Sequence, residues 1–318
     1  MPPPADGAQL SMALPAYAAE DPGTWQHLFD TACAADLAGV DRVVMSDHVV
    51  YGENLEAYAR PELGGIAGGR QPTGPDGHWL EPITTLSVLA GMTKRVRLGT
   101  NIIIAALRRP VILAKSAATL DVLSGGRLDL GVGVGWQREE YDAAGLDFAE
   151  RGRLLDQTLE VCQELWTSAR ASVNQPGLAF DAIHMMPKPL QPGGVPIWVS
   201  GRLTPRVVRR LARFGRGWIP WDVGAAEFGT AVAALREQLA AAGRDPAGMG
   251  VVASVRAAHA EGRFDASRFA DQAGAMIEAG ATDIRIGTWR VPGGQAELTD
   301  QLTEIVAAFR AAVRSATD

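Results

Sequence analysis

Eight times along the chain a short run rich in β-branched residues gives way to a longer run of helical periodicity, and that alternation leaves few folds open. The strand-like runs are Gln9–Leu14, Asp41–Met45, Val96–Ile104, Arg127–Val134, Ile197–Ser200, Gly217–Pro220, Gly250–Val255 and Asp283–Gly287. Helical patterns near Thr24–Ala38, Ile83–Thr93, Pro110–Leu123, Glu150–Thr167, Pro205–Phe214, Ala225–Ala242, Ala266–Ala279 and Glu297–Ser315 follow them in turn. Eight strands, each returned by a helix, predict an α/β chain closed as a (β/α)8 TIM barrel with insertion loops at the C-terminal mouth. With no linker-like segment in 318 residues, the reading is one domain spanning 1–318. Gly39 and Gly280 stand where a helix must stop before the next strand. Two intervals, Val49–Glu81 and Ala169–Val195, exceed plain connections, and Val223–Ala226 is a shorter candidate. Long ordered loops in a compact domain are usually functional. The first follows the second strand and is expected over the mouth, where barrel active sites lie.

Composition narrows the function classes. A net charge of −6 gives no basic footprint for nucleic acid or an anionic membrane. No run has the length of a signal core or a membrane span, so a cytoplasmic protein is expected. Cys33 and Cys162 both sit in helical patterns and read as reduced, packed thiols. Neither an HExxH motif nor paired cysteines occur, so no metal site is expected.

Ser124–Tyr141, SGGRLDLGVGVGWQREEY, is the densest candidate for a site. Leu128, Leu130, Val132 and Val134 alternate with Asp129, Gly131, Gly133 and Gly135, and Trp136 with the acids Glu139 and Glu140 follows at once. The bare face admits two readings, close approach of a flat ligand to the backbone or close packing within a barrel wall. At the end of the second strand stands Ser46-Asp47-His48, a carboxylate beside a group that titrates near neutrality. The fifth strand runs through Ser200-Gly201-Arg202 to a helix that begins at Pro205 and carries Arg206, Arg209 and Arg210. Small residues, a hydroxyl and cations before a helix N-terminus suit a phosphate, with Arg202 the foremost ligand.

Taken in order, Ser46-Asp47-His48, Arg97 to Pro110, Ser116 to Asp121 with Ser124 to Arg127, Gly131 to Glu140, then Arg151, Glu160 and Leu165-Trp166 make the chain resemble the luciferase-like monooxygenase superfamily, within it the coenzyme F420-dependent oxidoreductases. The resemblance implies a bacterial luciferase-like barrel holding a flavin or deazaflavin at its mouth. It implies that Asp47 and His48 lie beside the ring as catalytic residues, His48 handling the proton. It places Asn101 and Ile102 in a non-proline cis peptide under the ring and Gly133, Val134, Gly135 and Trp136 in the pocket wall. Ser200, Gly201 and Arg202 would hold the cofactor phosphate, and a homodimer is implied. Relatives that oxidise a sugar phosphate carry glutamate where Trp136 stands and tryptophan where Gly52 stands, so a less polar small organic substrate is expected instead. The functional expectation is hydride transfer between coenzyme F420 and that substrate. The rival is an FMN-dependent two-component monooxygenase supplied by a flavin or F420 reductase partner. A non-catalytic flavin-binding protein is a further alternative. A barrel isomerase or aldolase would need a lysine at a strand end, and Lys94, Lys115 and Lys188 fall in helices or loops.

Overall fold

Period-2 patterning gives every strand an aliphatic face and a polar or glycine face, and the two faces meet different neighbours. The computed structural model describes residues 7–256, 259–260, 263–289, 291 and 293–317. The first six residues therefore lie outside the described residues. The barrel strands are β1 (Gln9–Ala13), β2 (Arg42–Met45), β3 (Arg97–Thr100), β4 (Leu128–Gly133), β5 (Ile197–Gly201), β6 (Gly215–Pro220), β7 (Gly250–Ser254) and β8 (Asp283–Ile286). Each pairs in parallel with the next, and β1 pairs with β8, Leu10 standing opposite Ile284, which closes the ring.

The barrel helices are α1 (Gln26–Ala38), α2 (Pro82–Met92), α3 (Pro110–Leu123), α4 (Arg151–Thr167), α5 (Pro205–Phe214), α6 (Phe228–Ala241), α7 (Ala266–Glu278) and α8 (Gly294–Thr317). Gly39 and Gly280 take φ of 89° and 102° at the two expected helix stops, a conformation that costs glycine nothing. Among the described residues no helix is long and apolar enough to cross a membrane.

The main core lies between strands and helices, where Leu10, Met12, Val43, Met45, Leu98, Leu128, Leu130 and Val132 are buried. The opposite faces look into the barrel. Their apolar content is a small cluster of Trp198, Ile219 and Val252 with Ile102 against it. The rest is charge. Arg42 donates to Asp129 at 2.8 Å, to Asp283, and to Gln9 at 2.9 Å, and Arg97 reaches Asp129 at 2.7 and 2.8 Å. The Arg42 guanidinium lies 4.6 Å from the Trp198 ring centre.

Two expectations require correction. The run Val96–Ile104 is not one strand: β3 ends at Thr100, the Asn101–Ile102 peptide is cis, and Ile103–Ile104 pairs separately with Val132 and Gly133 of β4. The Ala169–Val195 interval contains an antiparallel hairpin, Ala171–Gln175 with Leu178–Ile183, packed on α4. Its turn, Pro176-Gly177 with Gly177 at φ 76°, carries the residues of a type II turn. By contrast, Val49–Glu81 does arch over the mouth. It is fastened by His78–Trp79 pairing with Tyr17–Ala18 and by Trp221 Nε1, which donates to the Gly64 carbonyl at 3.0 Å.

Candidate active site

Met45 ends β2, and the next three residues turn into the mouth. Asp47 is buried, and both its oxygens are occupied: Oδ2 accepts from the Ile104 amide at 2.8 Å and from Arg108 at 2.6 Å, and Oδ1 accepts from Arg108 at 3.0 Å. Glu81 takes the other side of Arg108 at 2.9 Å. Burial works against the Arg108 charge, but Asp47 and Glu81 together raise its pKa above the ordinary arginine value. A bidentate ion pair adds geometric specificity. Asp47 therefore ties the end of β2 to the bulged segment after β3.

The acid that faces His48 is Glu140. Its Oε2 lies 3.2 Å from His48 Nδ1, a contact without the alignment of a hydrogen bond, and its Oε1 accepts from the Val49 amide at 2.9 Å. Glu140 is buried in the short helix Arg138–Ala143 that follows β4. Aromatic rings close the remaining sides of His48, with ring centres at 4.4 Å for Tyr51, 4.8 Å for Trp79 and 5.9 Å for Trp136. Burial, reinforced by the Glu140 charge, pushes the Tyr51 phenol well above its ordinary value, so it stays protonated. Its hydroxyl lies 3.1 Å from Gln71 Oε1.

The glycines of β4 turn out to serve packing first. A Cβ on Gly131 would stand 2.0 Å from the Thr100 carbonyl oxygen, and one on Gly133 would stand 2.8 Å from the Ile102 side chain. The bare face thus receives the β3 bulge, and Ile102, not a ligand, fills the space over Gly133. Gly133, Val134 and Gly135 still border the cavity along their upper edge. Beyond them Trp136 is buried edge-on to Tyr58, ring centres 5.3 Å apart, and its Nε1 has no hydrogen-bond partner among the described residues.

At the far end the α5 N-terminus meets the α4 N-terminus. Arg202 pairs with Asp222 and donates to the Pro61 carbonyl at 3.4 Å. Arg210 pairs with Asp156 and donates to the Gly152 carbonyl at 2.6 Å. Arg206 lies flat over Gly152, where an added Cβ would come 2.4 Å from its Nη1. Arg206 has no ion-pair partner among the described residues. Burial and the charges of Arg138 and Arg206 hold the neighbouring Arg151 below its ordinary pKa, although Tyr141 opposes them. Arg209 points to solvent and does not line the cavity, whereas Arg151 and Arg210 do.

These features enclose one cavity of about 650 Å³. Asp47, His48, Asn101, Ile102, Gly133, Val134, Gly135, Trp136, Ser200, Gly201 and Arg202 all line it. Sequence reasoning missed Glu140 as the partner of His48, the ring set Tyr58, Trp79 and Trp221, and Arg151 and Gly152. The only signal for Glu140 was its place just after the glycine strand. No residue from 169 to 195 borders the cavity, so the second long interval does not cover the site. No group of side chains that could hold a metal ion is present among the described residues.

Residues 9–310 match the luciferase-like monooxygenase family. An uncharacterized protein of Mycobacterium tuberculosis is 36% identical over 168 residues, which cover 52% of this chain and 58% of that protein. The phthiodiolone/phenolphthiodiolone dimycocerosates ketoreductase of Mycobacterium kansasii is 34% identical over 218 residues, covering 67% of this chain and 58% of the relative. The chain thus spans less than two thirds of the length of these relatives. In fold it is similar to an F420-dependent secondary alcohol dehydrogenase, with a TM-score of 0.72 at 16% identity over 95% of this chain and 99% of the other. A long-chain alkane monooxygenase aligns with a TM-score of 0.71 at 13% identity, covering 94% and 91% of the two chains.

Proposed function

The chain belongs to the luciferase-like monooxygenase family, and on that premise we propose that it is an oxidoreductase that uses coenzyme F420 to transfer a hydride to or from a small organic substrate. The observation that carries this reading is the polarity of the cavity: a ring-lined end around His48, a bulged floor at Asn101–Ile102, and a cationic end at two helix N-termini. The residues fit such a cofactor. A flat ring suits the floor and the Trp136 wall, the buried Trp136 Nε1 is a donor in want of an acceptor, and Arg206 is a solvent-exposed cation at the cavity edge with no ion-pair partner among the described residues. The name of the ketoreductase relative supports a carbonyl or alcohol as substrate.

When bound, the deazaflavin supplies the carbon that gives or accepts the hydride. Everything else falls to the protein. Ser200, Gly201 and Arg202, joined by Arg206, would hold the cofactor phosphate at the cationic end. Asn101 and Ile102, which line the cavity, would support its ring. Glu140 lies against Nδ1 of His48, which leaves Nε2 to hold or move the proton at the substrate oxygen. Tyr51, Trp79 and Trp136 exclude water from that proton path.

One observation favours the FMN reading. Arg202 and Arg210 are already paired with carboxylates, so the cationic end suits a single phosphate as well as an acidic tail. In that case the chain is the oxygenase half of a two-component monooxygenase and draws reduced flavin from a reductase. Titration with F420 and with FMN, read by tryptophan fluorescence, separates the two. Tighter binding of F420 is the expected result, and tighter binding of FMN overturns it. Arg206→Gln is expected to weaken the preferred cofactor about tenfold, the loss of one charge-assisted hydrogen bond of about 1.5 kcal/mol.

The quaternary and cellular setting is proposed on the same footing. Val88 and Met92 on α2 and Ile112 and Leu123 on the adjoining α3 are exposed apolar side chains, and we assign them to a homodimer face. The double substitution Ile112→Lys, Leu123→Lys is expected to halve the mass measured by light scattering. A mass equal to that of the wild type would remove these helices from the interface. Cys33 and Cys162 are free thiols, and burial pushes the Cys162 thiol up to about 12, which keeps it inert and suits the cytoplasm.

A further inference from the structure

Beside the main cavity, past Asn101 and Ser200, a second chamber of about 200 Å³ extends into the barrel under β6, β7 and β8. Its walls are polar and apolar in nearly equal measure, with Val252 and Phe228 among the apolar residues and Asn101, Ser200 and Ser254 among the polar ones. Its charged wall is Arg285 of β8, which is 6% exposed. Arg285 Nε donates to Ser11 Oγ at 3.1 Å. Its terminal nitrogens donate to no group among the described residues, and no carboxylate among them lies within ion-pair distance.

The carboxylates nearby are already committed. Asp283 accepts from Ser11 through Oδ1 and from Arg42 through Oδ2, and Asp129 is shared by Arg42 and Arg97. Among the described residues the barrel interior thus holds three guanidinium groups, Arg42, Arg97 and Arg285, against two carboxylates, Asp129 and Asp283. The uncompensated charge sits where the chamber begins. Burial lowers Arg285 to about 10, with Arg42 adding to the effect and Asp283 opposing it, so the group is charged at neutral pH. A buried, unmatched cation is costly, and a ligand that brings the counter-charge relieves the cost.

We propose that this chamber is a substrate subsite in which Arg285 receives the carboxylate of a small organic acid. Its volume is below the roughly 300–1,000 Å³ of pockets that take whole drug-sized ligands, so it fits a carboxylate on a short apolar body. Planar guanidinium recognises a carboxylate with two parallel hydrogen bonds, and both terminal nitrogens of Arg285 are free for them. Because the chamber opens beside Asn101 and Ile102, an acid anchored there presents its far end to the main cavity. That the acid is the substrate of the redox reaction rests on the function proposed above. Its binding does not.

The test uses the full chain without cofactor, titrated with benzoate and with benzamide and followed by tryptophan fluorescence, Trp221 being in the chamber wall. Benzoate is expected to bind at least about tenfold more tightly than its neutral isostere, as one charge-assisted contact requires. Arg285→Met removes the difference, whereas Arg206→Gln, at the other cation in the mouth, preserves it. Ser254→Leu fills the chamber without touching the Ser11–Asp283–Arg42 chain and weakens both ligands, which keeps the test decisive if Arg285→Met does not fold. Equal binding of benzoate and benzamide by the wild type overturns the proposal. So does a preference that survives Arg285→Met, one that vanishes with Arg206→Gln, or a Ser254→Leu variant with unchanged affinities. Titration of the same samples with F420 and FMN reports separately on the cofactor, so a failure of the subsite and a failure of the flavin reading are distinguishable.

Discussion

Replacing His48 by Asn is expected to lower kcat by roughly 10²–10⁴-fold, the range for loss of a positioned acid or base, while cofactor still quenches tryptophan fluorescence. The separation follows from the geometry. His48 sits at the ring-lined end of the cavity, its Nδ1 against Glu140, and the cations that would hold a phosphate lie at the other end. Asn keeps a polar group of similar reach but cannot carry a proton at neutral pH. Single-turnover measurement of cofactor absorbance with a responsive carbonyl or alcohol reads the chemical step, and equilibrium quenching reads the binding. Unchanged turnover in the variant would remove His48 from the proton path. A parallel loss of quenching would make it a binding residue instead.

That His48 would face the mouth was legible from its place three residues beyond a strand predicted at Asp41–Met45. Its partner was not. Adjacent residues at a strand end point to opposite sides, so the neighbour Asp47 turns away from His48 toward Arg108, whereas Glu140 arrives from a separate β/α junction. The same limit recurs in β4. Alternation showed that one face of Leu128–Gly133 was bare, but only the third dimension shows Thr100 and Ile102 pressed into it. Strand order, helix stops and the mouth loop depend on local pattern and were readable. Which side chain fills which gap depends on residues about 30 positions away or more, and was not.

The barrel interior is the largest feature that the pattern concealed. Arg42, Asp129, Asp283 and Arg285 look like the polar faces of half-exposed strands, and closure of the ring buries all four. Asp129→Asn is expected to cost about 3–5 kcal/mol at pH 7, because it strips the shared carboxylate from Arg42 and Arg97 and leaves two buried cations facing each other. Burial alone would raise the pKa of Asp129, but the charges and hydrogen bonds of the two arginines hold it below the ordinary value. A depressed carboxylate contributes stability above its unfolded pKa of about 3.9 and loses it as pH falls through the folded value. Wild-type stability should therefore drop on the acid side of about pH 4, while Asp129→Asn, already lacking that contribution, loses less over the same interval. Urea unfolding at pH 7 and at successively lower pH measures both effects. A variant as stable as the wild type at pH 7, or a gap that stays constant into strong acid, would mean that the interior charges are solvated and that the barrel does not depend on them.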